Sequence, residues 1–225
     1  MPTDAFEMAL VHDVFRRELK AVPKLIDSVH PGQHGRAMRI ARHIANLMAA
    51  LHHHHIAEDE LVWPKLRART PRYAEIIHRM ETEHEFIAKS VFNVELRLAN
   101  WTAAIAAATT EFGSQSQATV ELINEVTALT ALVGDHLHGE ERLVVPLINE
   151  SLTAAEWRAA TERGASFISG RNIAFAIAFA GMTLESCTTE QRRRFLAGMP
   201  PPQRALVRLF AQRARANYRA RLGAG

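Results

Sequence analysis

The apolar side chains of the first 150 residues recur in alternating steps of three and four positions. This spacing places them on one face of an α-helix, and the pattern appears in four successive segments. Four amphipathic helices joined by short connections predict an all-α protein built on an antiparallel four-helix bundle. The four apolar stripes cover residues 5–26, 40–61, 73–105 and 122–147.

Proline and glycine indicate where these helices should end. Pro31-Gly32 is expected to end the first helix, and Pro23 is expected to kink or break it near that end. Thr70-Pro71 should cap and begin the third helix. The segment Gly113-Ser114-Gln115-Ser116 is expected to form the loop before the fourth. These boundaries define a bundle domain over 1–150.

The pattern changes after residue 150, where we expect a C-terminal helical extension over 151–225. Thr153 and Glu156 have the spacing of a capping box, and Pro200-Pro201-Pro202 should break the chain before an Arg-rich last helix. The twelve-residue apolar run 173–184 is shorter than the roughly 20 residues that span a membrane. It therefore predicts a buried helix, and we expect the extension to cover the bundle as a partial lid.

Six ionisable side chains interrupt the apolar stripes, where each of them would be buried. A buried charge costs several kcal/mol unless it is paired, so six in one core require a strong compensating charge. Two metal cations would supply it, holding carboxylates ionised and imidazoles neutral. We predict that these residues are metal ligands: His12, His54, Glu58, His84, His136 and Glu140.

The second and fourth stripes superpose with a constant offset of 82 residues. His54 then corresponds to His136, Glu58 to Glu140, and Pro64 to Pro146. Since residues four apart lie above one another on a helix face, each His and Glu pair can reach one site. The sequence therefore predicts two copies of a helix pair, each contributing a single His and a His-x-x-x-Glu.

Imidazole and carboxylate ligands without thiolate suit iron, and less exclusively manganese or zinc. Four His and two bridging Glu leave the coordination of two irons incomplete. Solvent-derived oxo or hydroxo bridges and an exogenous molecule would complete it. The expected cofactor is thus a pair of iron ions, with manganese or a mixed centre left open.

The paired motifs resemble those of the hemerythrin-like, or HHE cation-binding, family. The motifs are His54-x-x-x-Glu58-Asp59-Glu60-x-x-Trp63-Pro64 and His136-x-x-x-Glu140-Glu141, and His12 and Glu83-His84 resemble the two single-His positions. The resemblance covers roughly 5–150. It implies a four-helix bundle with a di-iron site that meets O2, H2O2 or nitric oxide.

Two departures distinguish this chain from the oxygen-carrying hemerythrins that it resembles. Those have a second His four residues further along the third helix, where this chain has Ala88, and they end in His-x-x-x-x-Asp rather than His136-x-x-x-Glu140. Both differences match the HHE branch, and they favour redox chemistry over reversible oxygen carriage.

Three functions remain open at this stage. The first is binding or decomposition of a small oxidant at an open iron position, including catalase-like turnover. The others are an iron or oxygen sensor whose residues 151–225 report the metal state, and O2 storage. No side chain beyond the metal ligands indicates a separate catalytic acid or base.

The remaining histidines and acidic residues have simpler interpretations. His30, His34, His43 and His78 are expected to be ordinary core or surface residues, and so are His52 and His53. His138 flanks the fourth motif and is expected to be solvated or to contact a ligand from outside. His55 neighbours His54 and is an alternative seventh ligand. The following acidic residues are expected to be solvated, with a lesser chance of contacting the ligands: Asp59, Glu60, Glu81 and Glu141.

Composition and charge limit the partners and the compartment. Cys187 is the single cysteine, which excludes an intramolecular disulfide and favours a reducing, cytoplasmic setting. The N-terminus lacks the pattern of a signal peptide. Residues 188–225 hold nine Arg and one Glu within a chain of net charge +3. Little aromatic interleaving and no base-reading motif accompany them, so we expect a solvated helix face and neither nucleic acid nor membrane as partner.

Overall fold

The computed structural model describes residues 3–30, 32–107, 112–167 and 172–223. Every secondary-structure element within these ranges is a helix. The four long helices are α1 (Phe6–Asp27), α2 (His34–Leu61), α4 (Ala74–Ala107) and α5 (Phe112–Leu143). The shorter ones are α3 (Trp63–Arg69), α6 (Val145–Ser151), α7 (Ala154–Gly164), α8 (Ile173–Glu185), α9 (Thr189–Gly198) and α10 (Pro201–Leu222). Two 3-10 turns cover Pro71–Tyr73 and Ala165–Phe167.

The four long helices form a helical bundle. Helix α1 packs against α2 and α5, and α4 packs against the same two helices, so the four enclose one core. Phe15, Leu47, Trp101 and Val126 are fully or almost fully buried there, one from each helix. Burying such a side chain stabilises the fold by about 1.5–3 kcal/mol. The stripe positions thus form the core that their spacing predicts.

The internal repeat is visible in the helix boundaries. Helices α2 and α5 end at Leu61 and Leu143, and short helices begin two residues later at Trp63 and Val145. Each break comes just before Pro64 or Pro146, where the missing N–H and the proline ring prevent an uninterrupted helix. All of these positions keep the 82-residue offset.

Two predicted boundaries were wrong. The segment 113–116 lies inside α5 and is not a loop, because small polar residues are tolerated in an N-terminal helical turn. Thr70 does not cap α4: its hydroxyl donates to the Leu66 carbonyl, and the turn Pro71–Tyr73 precedes the helix. Pro23 lies within α1, which continues to Asp27. Pro31 lies outside the described residues.

The C-terminal extension packs on the α1–α2 side of the bundle. Helix α8 contacts α1 and α10, and α7 contacts α2. Phe175, Phe179 and Met182 of α8 belong to the same buried cluster as the bundle core. The predicted capping box at Thr153 is present, and Thr188 forms a second one with Gln191. Most of the apolar run, from Phe175 onwards, is therefore buried against the bundle and α10.

Within the described ranges, no helix combines the length and apolar character that crossing a bilayer requires.

Candidate metal centre

The six predicted ligands meet in one layer of the bundle. His12 comes from α1 and His84 from α4, while α2 and α5 each supply a His and a Glu one turn apart. Five of the six are buried, and the sixth, His54, exposes 15% of its side chain. The helical spacing therefore explains why residues far apart in sequence converge.

The four imidazoles form two pairs. His12 Nε2 lies 3.0 Å from His54 Nε2, and His84 Nε2 lies 3.1 Å from His136 Nε2. In both pairs the same ring nitrogen points inward, and neutral Nε2 atoms are common metal ligands. Each pair therefore marks one position that a cation could occupy.

The two carboxylates connect the His pairs. Glu58 Oε1 lies 3.2 Å from His54 Nε2, and its Oε2 lies 3.6 Å from His84 Nε2. Glu140 Oε2 lies 3.5 Å from His12 Nε2 and 3.8 Å from His136 Nε2. Each carboxylate thus reaches one imidazole of either pair, as a group shared by two cations would.

Glu58 and Glu140 are buried, and none of their four carboxylate oxygens has a hydrogen-bond partner among the described residues. A buried carboxylate without partners is strongly destabilising, so this arrangement calls for positive charge. The donor set, with imidazole nitrogens and carboxylate oxygens, suits first-row transition metals. The residues present therefore fit a pair of metal ions.

A second layer of carboxylates orients the imidazoles. Three outer ring nitrogens each lie at hydrogen-bond distance from a carboxylate. His12 Nδ1 is 2.9 Å from Glu141, His84 Nδ1 is 2.7 Å from Asp59, and His136 Nδ1 is 2.9 Å from Glu83. A carboxylate at Nδ1 favours the tautomer with a proton there, which leaves Nε2 available to a metal.

Burial also sets the protonation of the site. It lowers the pKa of His136 to about 3, and it moves the pKa of His54 well below the ordinary value. For the carboxylates burial acts in the opposite direction, raising the pKa of Glu140 to about 8. Burial raises the pKa of Glu58 well above its usual range, and the nearby charge of Glu140 raises it further. Without cations the core favours neutral forms of both residue types.

His55 is also part of the cluster. Its ring stacks on His84 at a centroid distance of 4.1 Å and lies 5.2 Å from the ring of His136. A nitrogen of His55 lies within 4.8 Å of ligand atoms of both. Its Nε2 is buried without a hydrogen-bond partner. The geometry thus favours the alternative in which His55 is a seventh candidate ligand.

Other candidates have the simpler roles that the sequence suggested. His43 is buried in the core, with Nδ1 3.1 Å from the Tyr218 hydroxyl. His53 lies at the surface of α2 near Ser166, and Glu81 pairs with Arg67. None of these three belongs to the two possible metal-binding groups of the described residues.

The comparisons with known proteins agree with this geometry. The hemerythrin HHE cation-binding domain matches residues 4–148, which is more than half of the chain. The chain belongs to this family. Searches of the curated proteins and of the solved structures gave no match. As an HHE-domain protein it has His and Glu clusters able to hold metal, at the centre of the matched region.

Sequence reasoning underrated the outer carboxylates of this HHE domain. Asp59 and Glu141 were expected to be mainly solvated, and Glu83 was given no contact of its own. Each one directly adjoins a ligand in sequence, following Glu58 or Glu140 or preceding His84. Adjacent helical positions point about 100° apart, so a neighbour of an inward ligand can reach sideways to another helix. Acidic residues beside ligands were the available signal.

Proposed function

We propose that this HHE-domain protein is a non-haem di-iron protein that binds or decomposes a small oxidant: H2O2, nitric oxide or O2. The observation that carries the proposal is the pair of inward-facing His couples joined by Glu58 and Glu140. His12 and His54 would hold one iron, His84 and His136 the other, with His55 available to the second. When bound, the irons would supply redox capacity and a coordination position for the small molecule.

The protein's own residues would orient and protect that centre. Asp59, Glu83 and Glu141 fix the imidazole tautomers. Arg16 forms a 2.7 Å ion pair with Glu141, and Arg79 a 3.2 Å pair with Glu83, which holds both carboxylates in place. The apolar layers on either side exclude water. We assign no separate acid or base, so catalase-like turnover would depend on the centre itself.

The proposal includes an antiparallel arrangement of α1, α2, α4 and α5. Contacts between α4 and α5 support it: Arg97 pairs with Glu121, and Trp101 donates to Thr119, while His84 meets His136 at the far end. As the residue number rises along α4, the number of the residue that it contacts on α5 falls. This order indicates that the two helices run in opposite directions. An antiparallel bundle would bring all six candidate ligands to one depth.

The alternative function is an iron or oxygen sensor, or an O2 store, without turnover. One contact favours sensing: the Phe15 ring lies 5.6 Å from the His54 ring and 5.6 Å from the Phe179 ring. Phe179 belongs to α8, so a ligand and the C-terminal extension touch the same side chain. A change at His54 could therefore reach the extension directly.

Metal analysis and a peroxide assay together test the proposal. Elemental analysis of the loaded protein should find about two irons per chain and distinguishes iron from manganese or a mixed centre. Oxygen release from H2O2 then separates turnover from sensing, and reversible oxygenation would favour storage. A protein that binds no metal, or a single ion with full reactivity, would contradict the proposed centre. The proposed setting is a reducing compartment, consistent with the single Cys187.

A further inference from the structure

A groove of about 830 Å³ runs between α2 and α4 and ends at the metal centre. Its inner end is formed by the buried residues His55 and His84. His55 is only 6% exposed, and its Nε2 has no hydrogen-bond partner. Asp59, which contacts His84, also lines the groove. A surface opening therefore leads to candidate ligands with unused coordinating capacity.

The charged lining of this α2–α4 groove has one sign. Its acidic residues are Asp59, Glu81, Glu85 and Glu95, and no Lys or Arg is among the described residues that line it. Basic side chains also lie close by: Arg67 is bound to Glu81, Arg163 lies 3.5 Å from Nδ1 of His53, and Lys89 lies 5.4 Å from the Phe86 ring centroid. His52, His53 and His78 also line the groove, adding nitrogen donors near its mouth.

The C-terminal extension closes a different side of the centre. At Gly164 of α7, an added Cβ would lie 3.7 Å from Ala57 Cβ and 3.9 Å from the His54 Cα, so α7 packs tightly on α2. Phe179 covers Phe15 on α1. Among the described residues of 151–225 none lines the α2–α4 groove, although Arg163 and Ser166 contact His53, which does. The described part of the extension therefore leaves this side of the centre open.

We propose that the α2–α4 groove is the route by which a divalent cation reaches the centre. Its acidic lining favours cations and neutral small molecules and disfavours anions. The proposal rests on the proposed function, since it requires a centre that binds metal. Clefts lined by charge of one sign raise the local concentration of the opposite charge and speed association by about 10- to 1,000-fold. Salt weakens the effect, because the Debye length is about 10 Å at 0.1 M.

A steric variant tests the route itself. Ala88 is exposed on α4 and lines the groove, so Ala88→Trp would narrow the passage with little effect on the core. Cobalt(II) uptake by the metal-free full-length protein is followed by visible absorption and by elemental analysis. We expect uptake about tenfold slower in Ala88→Trp, with the same final content. Ala103→Trp, an exposed position on α4 outside the groove, should match the wild type. Equal rates in all three proteins would overturn the route.

A charge variant tests the selectivity. Glu85→Gln with Glu95→Gln removes two negative charges from the groove, and Glu150→Gln with Glu162→Gln removes two exposed ones elsewhere. At low salt the groove variant should take up cobalt about fivefold more slowly and bind azide faster once cobalt-loaded. The difference should shrink at 0.5 M salt. Equal behaviour of the two double variants would overturn the charge selection.

The cobalt experiment separates this inference from the proposed function. A wild-type protein that takes up no cobalt would overturn both, because no metal centre would exist. Normal final cobalt content with unaltered rates in the groove variants would overturn only the α2–α4 route. Opposite changes for cobalt and azide would support it, since a general distortion of the site would move both rates in one direction.

Discussion

At the scale of single residues, Glu58 and Glu140 are buried beside the imidazole pairs, whereas His52 on α2 is exposed. Each carboxylate lies between two imidazole pairs. Glu58→Ala or Glu140→Ala should therefore reduce bound iron from about two to about one per chain or less, because a shared ligand is lost from both positions. His52→Ala is the control, since His52 is exposed and belongs to neither possible metal-binding group of the described residues. Elemental analysis of the three variants decides the matter, and equal iron content in all of them would contradict the bridging role.

His55 gives a second test at this scale. Its contacts are with His84 and His136, so its loss should affect one metal position more than the other. Removing a ligand or its close support typically costs 10- to 100-fold in metal affinity. We expect His55→Ala to retain one tightly bound iron and to lose the second on dialysis against a chelator. Its neighbour His53→Ala should retain both, and equal retention in the two variants would show that His55 merely packs.

The clustering of the six candidate ligands was predictable from sequence because helical spacing determines which side chains share a face. His54 and Glu58, repeated at His136 and Glu140, could hardly occupy an apolar stripe without a partner. The orientation of His55 and the reach of Glu83 to His136 could not be predicted. Both depend on the rotation and separation of neighbouring helices, which one helix's periodicity does not specify.

At the scale of elements, close contact between α8 and α10 depends on Gly181. A Cβ at this position would collide with the carbonyl oxygen of Ala211 on α10. Gly181→Ala should therefore push α10 from α8 and destabilise the protein by about 1–3 kcal/mol, although alanine favours the helix itself. Gly198→Ala is the matched control, because nothing lies within 4 Å of an added Cβ there.

Thermal unfolding of the two glycine variants measures this effect, and limited proteolysis shows which element is released. We expect early cleavage within α10 in the Gly181→Ala variant and not in the Gly198→Ala variant. If Gly181→Ala were as stable as wild type, the α8–α10 packing would tolerate a methyl group, and Gly181 would have no role in it.

The helices themselves were predictable, but their ends were less so. Apolar periodicity identified α1, α2, α4 and α5, and the Thr153 capping box identified the start of α7. The error at Thr70 arose because its hydroxyl could either cap the next helix or bond back to the Leu66 carbonyl. Local sequence leaves such competing hydrogen bonds nearly equal, and tertiary packing decides between them.

At the scale of the whole molecule, the bundle and the extension share one hydrophobic core. Phe175 and Phe179 belong to the same buried cluster as Phe15 and Leu47. The division at residue 150 and the partial lid remain predictions. Because the two parts share buried side chains, truncation at 150 would expose apolar surface, so point substitutions are the better test of either idea.

Metal removal should destabilise the whole protein. Cations bound to the folded state stabilise it by mass action, and chelation leaves seven polar side chains in the centre without them. We expect a lower melting temperature in the metal-free protein with most helical circular dichroism retained, since the remaining stripe positions are apolar. An unchanged melting curve after verified metal removal would contradict buried ligands.

The pH dependence of the metal-free protein provides the sharpest form of this test. Burial raises the pKa of Glu140 to about 8, so the neutral carboxyl is favoured in the folded state. A carboxyl whose pKa is raised by folding contributes to the stability of the folded state. This contribution is complete below the pKa of the unfolded state, 4.5, and is lost as the pH rises towards 8. Glu140→Gln removes this titration and leaves that of Glu58, whose pKa burial also raises. Without metal the variant should therefore gain stability over wild type between pH 6 and pH 8.5, by about 2 kcal/mol.

With metal bound, the wild-type protein should be more stable than Glu140→Gln, because the variant lacks an anionic ligand. Urea unfolding at both pH values, with and without metal, measures all four differences. A constant offset between the two metal-free proteins across this pH range would mean that Glu140 is not held in a buried, charge-poor environment. Six ionisable side chains in one core would then not require cations to compensate them.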